Sequence, residues 1–344
     1  MSASHTNPAM ISEHLAVFGS RDAATGIVTG GLVPNSEVNN FSVASGEWDD
    51  PATWSDGVPD DEDNVLISTG TVVTIDSDAS VSPTDPRVAL RTVRVDGELE
   101  FDPHANTKLL VDTIVVQGSG VFEMGTEAEP IDSTHRARVI FADRKIGLSP
   151  AEQADFDHEQ FHWDPLQFSH GLLSHGSVSI HGAHVTSFVS GQKPLNVAGS
   201  KTFDLGLPVP ADWKVGDRLI ISGNTGTNAA GVNQDDEVQI AGINGNVITL
   251  SAPLKYNHAK NSSYVADMNR NATFESETPG IIARRGHIMF MHSDHVEVES
   301  AGFYGLGRTD KRTVIDDVVL SEDLDDPGHI TADVLLADIN PSDP

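Results

Sequence analysis

The sequence has no cysteine in 344 residues, which excludes disulfides and thiolate metal sites. Basic residues are scarce: 21 Lys and Arg stand against 51 Asp and Glu, a formal charge of −30. A surface of that sign repels nucleic acid and anionic membranes, because phosphate binding needs Lys and Arg. No apolar run reaches the about 20 residues of a membrane-spanning helix, so no membrane insertion is expected. Residues 1–14 lack the basic start and apolar centre of a signal peptide. Export is then expected by another route, or from a longer precursor. The acid excess itself has three readings: a salt-adapted surface, calcium sites, or solubility.

What is present is turn chemistry and alternation. Thirty glycines and 18 prolines accompany 38% apolar residues, the composition of a folded chain with many turns. Residues 65–75 are two short apolar runs around a Ser-Thr-Gly turn. Residues 90–101 alternate, turn at Asp96-Gly97 and alternate again, and residues 109–124 repeat this around Gly118-Ser119-Gly120. Alternation with period two marks strands with one buried face. The pairs recur every 20 to 30 residues, starting near Val65, Val93, Ile114 and Val139. That spacing suits stacked coils that share one core, since a single coil cannot bury its inner face alone. The expected fold class is all-β, a right-handed parallel β-helix (solenoid), with a β-sandwich as the alternative. One short helical insertion is expected near 149–158, where Ser149-Pro150-Ala151-Glu152 forms a capping box.

The expected organisation is an N-terminal arm or linker at 1–40, a first domain at 41–145, a β-helix continuation at 146–314 and an acidic tail at 315–344. The tail carries no capping element, so further C-terminal β-helix coils are expected in the intact protein.

Residues 48–59 read W-D-D-P-A-T-W-S-D-G-V-P, followed by V-D-G-E-L-E-F at 95–101 and I-V-V-Q-G-S-G-V-F-E-M-G at 114–125. Glycines 46, 57, 70, 97, 118, 120 and 125 fall at the turns. In order and composition, residues 41–144 resemble the G-eight (G8) domain, named for recurring glycines. Further on, W-K-V-G-D at 213–217, Q-D-D-E-V-Q-I at 234–240 and A-P-L-K-Y-N-H at 252–258 look like the β-helix that follows this domain in cell-surface hyaluronan-handling proteins and fibrocystin. R-R-G-H-I-M-F-M-H at 284–292 and G-F-Y-G-L-G-R-T-D-K at 302–311 are most similar to bacterial members. The resemblance implies a parallel β-helix, an extracellular or cell-surface location, and hyaluronan or another polysaccharide as partner. It also leads one to expect a histidine-rich H-F-H motif on a following coil, which this sequence lacks.

Residues 284–312 hold five basic and four acidic residues, a local charge of +1 in a chain of −30. An anionic polysaccharide is least repelled here. Cleavage of a uronate polymer by β-elimination needs the carboxylate neutralised and a base near the C5 proton. Arg308, Lys311 or a metal would neutralise, with His287 or His292 as base. Hydrolysis needs two carboxylates, for which Asp294 and Asp310 are the candidates. Arg284, Arg285 and Tyr304 are the candidate substrate-binding residues. The competing structural reading makes Arg285 and Arg308 surface ion pairs and His287 a stacking residue. His292, Asp294 and His295 are a candidate set for a divalent metal. On a strand, however, 292 and 294 share a face and 295 points away. Solvated loops are the expected reading of the acidic runs 60–63 and 233–237, with Ca2+ held by their hard oxygen ligands as the alternative. Trp48 and Trp54, beside proline turns, are expected to pack under the first coil.

Two functions remain from these residues: a carbohydrate-binding module, or the N-terminal part of a polysaccharide-degrading enzyme, hyaluronidase-like or lyase-like. A structural or adhesive surface role is the third.

Overall fold

A computed structural model of the chain describes residues 8–144, 164, 167–191, 198–223, 234–258, 264–293 and 295–308. The expected helix near 149–158 lies outside them. The described chain divides into two compact units, one comprising residues 1–181 and 272–344 and the other Gly182–Asn271.

In the first unit the chain steps alternately between two sheets. Asn64–Ile67 is followed by Val72–Ile75, Leu90–Val95 by Glu98–Phe101, and Thr107–Val116 by Val121–Met124. Members of each pair belong to different sheets, and each strand lies beside its counterpart from the preceding step. Every pairing within these two sheets is parallel, which excludes the antiparallel sandwich for this unit. The ten-residue strand Thr107–Val116 spans two later ones. Its first half pairs with Ala137–Phe141 and its second half with Gly171–Ser174. Ala272–Ser276 and His287–Phe290 add the next layer on each.

The alternation seen in sequence becomes columns in register. Val73, Leu99, Phe122 and Val178 face one another down one sheet. Val65, Val93, Ile114 and Leu172 do so down the other. All are buried, each contributing about 1.5–3 kcal/mol. Val296 and Val298 continue the columns of Val178 and Ile180, and both are exposed. Trp48 and Trp54 are buried edge to face at 4.9 Å, with Trp54 Nε1 donating to the Trp48 carbonyl at 2.8 Å.

Glycines at the turn between sheets let successive layers approach. A Cβ on Gly97 would meet the Ser68 carbonyl oxygen at 2.2 Å, one on Gly120 that of Val95 at 2.2 Å, and one on Gly176 that of Gly120 at 2.2 Å. Backbone is the obstacle each time, and backbone yields least. Gly120→Ala is therefore expected to cost the upper end of about 1–3 kcal/mol, read from urea unfolding. A loss within about 0.5 kcal/mol would show that the turn relaxes freely.

Residues 8–40, expected as an arm, are largely built in. Pro8–Phe18 is an α-helix, and Ser20–Arg21 pairs with Val28–Thr29. Val17, Phe18, Leu32 and Val33 pack with Val115 and Leu173. Buried Arg94 donates to the Val33 carbonyl at 2.6 Å and to Asn35 Oδ1 at 2.9 Å, while Arg21 reaches Asp96 at 2.7 Å. The anchoring charges sit in a strand some sixty residues away, so local texture alone does not reveal them.

The second unit corrects the expectation that strand texture throughout 146–314 continues one parallel stack. Its sheet is antiparallel, in the order Phe188–Ser190, Tyr264–Asp267, Arg218–Ile221, Asp236–Asn244, Val247–Leu250, Thr202–Asp204. The reason lies in the connection between Asn244 and Val247. It is two residues long, with Gly245 at φ 60°, and a two-residue loop makes a hairpin but never a parallel crossover. The unit has its own core, including Trp213, Leu219, Ile221, Val238, Ile248 and Val265.

Candidate functional site

The parallel register gathers polar side chains where the strand Thr107–Val116 changes partners at Asp112. Asp112 is buried, and its Oδ1 lies 2.9 Å from His170 Nδ1 in the next layer. Thr113 Oγ1 donates to Asp112 Oδ2 at 2.7 Å and accepts from the His170 amide at 2.8 Å. The other ring nitrogen of His170 lies 2.7 Å from the Arg284 carbonyl oxygen. Carboxylate and carbonyl are both acceptors, so both bonds form only with a hydrogen on each ring nitrogen, giving an imidazolium beside a carboxylate. Both ring nitrogens are thus engaged by groups of neighbouring layers, which makes the pair a lock between them. His170 itself sits at φ 66°, a conformation unusual outside glycine that the surrounding bonds sustain. The second unit repeats the device: His258 Nε2 meets Asp236 at 2.9 Å and its Nδ1 meets the Ser222 carbonyl at 2.8 Å.

His287 and Arg308, paired as candidates from the sequence, are brought together. Arg308 Nη2 lies 3.1 Å from His287 Nδ1. The same Nδ1 lies 3.2 Å from the His170 carbonyl oxygen; a guanidinium only donates and a carbonyl only accepts, so Nδ1 serves one of these neighbours at a time. Burial, reinforced by the Arg308 charge, pushes His287 down to about 4. An imidazole that weakly basic is a poor proton acceptor for elimination. Arg308 also donates to the carbonyls of Ser169 at 3.0 Å and Gln167 at 2.7 Å. Burial pushes its pKa down, against the opposing charges of Asp164 and Asp112. Three of its five N–H donors are thus directed at groups of the fold.

The remaining candidates disperse. Arg284 pairs with Asp143 at 3.1 Å, and Arg285 Nε donates to the Pro279 carbonyl at 2.6 Å. His292 lies beyond the end of the His287–Phe290 strand, its ring 6.3 Å from that of His175. His295 is exposed and accepts from the Val178 amide through its carbonyl. Tyr304 ends the strand Ala301–Tyr304, in register with Glu275. Asp294, Asp310 and Lys311 lie outside the described residues. In the acidic run 60–63, Asp63 and Asp60 accept from backbone amides and Glu62 pairs with Arg144. Among the described residues, the carboxylates of Glu47, Asp49 and Asp76 converge with ligand atoms within 4.8 Å.

A row of charged side chains that sequence reasoning missed, one acidic and two basic, lies on the outward face of the first sheet. Asp78, Lys108 and Arg138 are each thirty residues apart and adjacent in register. Lys108 meets Asp78 at 2.9 Å, and Arg138 meets Glu275 at 2.9 Å. Arg87 pairs with Glu277 at 2.9 Å on the same unit. The available signal was the thirty-residue spacing, one full step of the chain. The second sheet presents carboxylates instead: Glu123 lies opposite Glu100 in register. Burial and neighbouring carboxylates push Glu98 and Glu123 upward.

In the second unit, burial, aided by the nearby Asp217 charge, lifts Asp267 to about 7. Its folded value lies above the unfolded one of about 3.9. The folded state therefore binds the extra proton, and stability falls as pH rises from about 4 to about 7. Thermal unfolding of this unit is expected at higher temperature at pH 5 than at pH 8, with the difference reduced in Asp267→Asn. An unchanged difference in that variant would assign the dependence elsewhere.

The site thus belongs to a β protein built on stacked parallel sheets, with buried polar locks and an ion-paired outer face. Residues 53–190 match the G8 domain family, and the chain carries a G8 domain. It is 22% identical to fibrocystin-L of Mus musculus over 253 residues, 73% of this chain and 5% of that protein. It is 24% identical to fibrocystin of Mus musculus over 228 residues, 64% of this chain and 5% of that protein. A G8 domain-containing protein of Dictyostelium discoideum is 26% identical over 255 residues, 70% of this chain and 20% of that one. The chain thus spans about 5% of the length of the fibrocystin relatives it matches. Among solved structures, the Gp54 tailspike of Acinetobacter baumannii bacteriophage AP22, in complex with a capsular saccharide, is similar over 64% of this chain and 29% of that one. The identity there is 14% and the TM-score 0.23. Among the described residues, no helix is long and apolar enough to cross a membrane.

Proposed function

We propose that the chain is an extracellular carbohydrate-binding module whose parallel sheets are faces of a right-handed β-helix. Its ligand is an anionic polysaccharide, hyaluronan or another uronate polymer. The observation that carries this reading is the stacking of Lys108 and Arg138 on one outward face of a chain with charge −30. Each cation holds a partly exposed carboxylate partner. The single contact of Lys108 with partly exposed Asp78 is of the kind worth about 0–1 kcal/mol, so a sugar carboxylate replaces Asp78 at little cost, while Arg138 offers the bidentate geometry that carboxylates favour. Tyr304, in register with Glu275, supplies a ring for stacking at the end of the row.

The enzyme reading is favoured by one observation, the Glu100–Glu123 juxtaposition with Glu123 pushed upward. Two neighbouring carboxyl groups, one of them pushed upward toward the role of acid, are what glycoside hydrolysis needs. A glycan array on the purified chain, followed by a product assay on every hit, tests both. Retention of uronate polymers without products supports the binding module. New reducing ends that vanish in Glu123→Gln support the hydrolase. Absence of uronate polymers among the hits overturns the proposal.

A further inference from the structure

The antiparallel unit has an outward face that the uronate reading does not use. Pairing across four strands sets Phe188, Ala266, Ile220 and Glu237 in one row. Tyr264 lies two residues from Ala266 along its strand, and Arg218 two from Ile220, so both project from the same face. The opposite face carries Val265, Ile221 and Leu219, all buried in the core. Phe188 is 60% exposed and Tyr264 50% exposed, and their rings meet edge to face at 5.7 Å. Large aromatic side chains usually enter a core, yet these two form a raised apolar ledge in water. Farther along, Arg218, Glu237, Gln239 and Ser251 line a shallow depression of about 260 Å³. Arg218 Nε lies 3.3 Å from Glu237 Oε1. From Phe188 to Glu237 is three strand spacings, roughly 14 Å.

We propose that this face binds a neutral hexose oligosaccharide. The apolar face of one sugar ring lies on Phe188 and Tyr264, and hydroxyls of a following ring exchange hydrogen bonds with Arg218, Glu237 and Gln239. Aromatic contact area beside a few directed polar groups is the composition of a small-ligand site, and hydroxyls use the donors of arginine and the acceptors of glutamate together. Charge decides among occupants. Arg218 and Glu237 cancel, so the patch offers no net attraction to a uronate. A second copy of the chain brings another −30 and is repelled. A neutral sugar meets neither penalty.

Affinity electrophoresis of the full chain tests this, in gels containing xyloglucan, galactomannan, mannan, dextran or hyaluronan. Retardation by at least one neutral polymer is expected, weakened about tenfold in Phe188→Ala and in Tyr264→Ala. Both variants should keep the parental melting temperature, because the rings are exposed, and Phe188→Tyr should retain retardation. Lys108→Gln/Arg138→Gln should leave the neutral-polymer result unchanged, which separates this site from the uronate site. No retardation by any neutral polymer, or equal retardation of the alanine variants and the parent, overturns the proposal.

Discussion

Asp112→Ala is expected to lower the stability of the parallel-sheet unit by about 3–5 kcal/mol, because it leaves the His170 charge buried without its carboxylate. Asp112 and His170 are each at most 1% exposed and 2.9 Å apart. His170→Ala should cost as much, by stranding Asp112. The double variant should cost little more than either single one, since each change removes the same interaction. Urea unfolding of the four proteins measures this cycle. Single losses below about 1 kcal/mol that simply add would show that the two layers are joined by apolar packing alone. Acid adds a second reading of the same pair. Burial pushes Asp112 up, but the His170 hydrogen bond and charge, with Arg91 and Thr113, outweigh it and hold Asp112 below its ordinary value. A depressed folded value means the contribution is complete above the unfolded pKa of about 3.9 and is lost as pH falls through the folded one. The parent should therefore lose stability below about pH 4 more steeply than Asp112→Asn.

Phe274→Ala carries the other large effect, a loss of about 3–5 kcal/mol. Phe274 is fully buried, with ring centroids 6.0 Å from Phe122, 6.4 Å from Phe141 and 5.8 Å from Phe303. It lies just past the end of the antiparallel unit in sequence and rejoins the first sheet beside Val139. Truncating it opens a cavity at the meeting of three rings, which rigid neighbouring strands refill poorly. Phe303, in register with it but 45% exposed, is the control, with a cost of about 1 kcal/mol when cut to alanine. Equal costs for the two would mean that residue 274 is not a core element of the stack.

The strand content of residues 65–124 was legible because alternation and glycine turns are local. The turns at Gly70, Asp96-Gly97 and Gly118–Gly120 separate strands that do lie in different sheets. Pairing direction was less legible. The Asn244–Val247 loop carried that information in its two residues, while the apolar patterns around it read alike in either arrangement. His287 and Arg308, 21 positions apart, stood out by charge in an acidic chain. Charge does not disclose that the carbonyls of Ser169 and Gln167 take the arginine's donors. Asp112 and His170 are 58 positions apart and gave no signal at all, because their contact exists only through the parallel register. The Lys108–Arg138 row is the intermediate case, written as an exact thirty-residue repeat but readable only once the length of one step is known.

Calorimetric titration of hyaluronan oligosaccharide into the parent chain and into Lys108→Gln/Arg138→Gln, at low and high salt, addresses the carbohydrate reading most directly. The reading predicts binding by the parent that weakens as salt rises, and binding at least about tenfold weaker in the double variant. Equal binding by both proteins, or no binding by the parent at low salt, would contradict it.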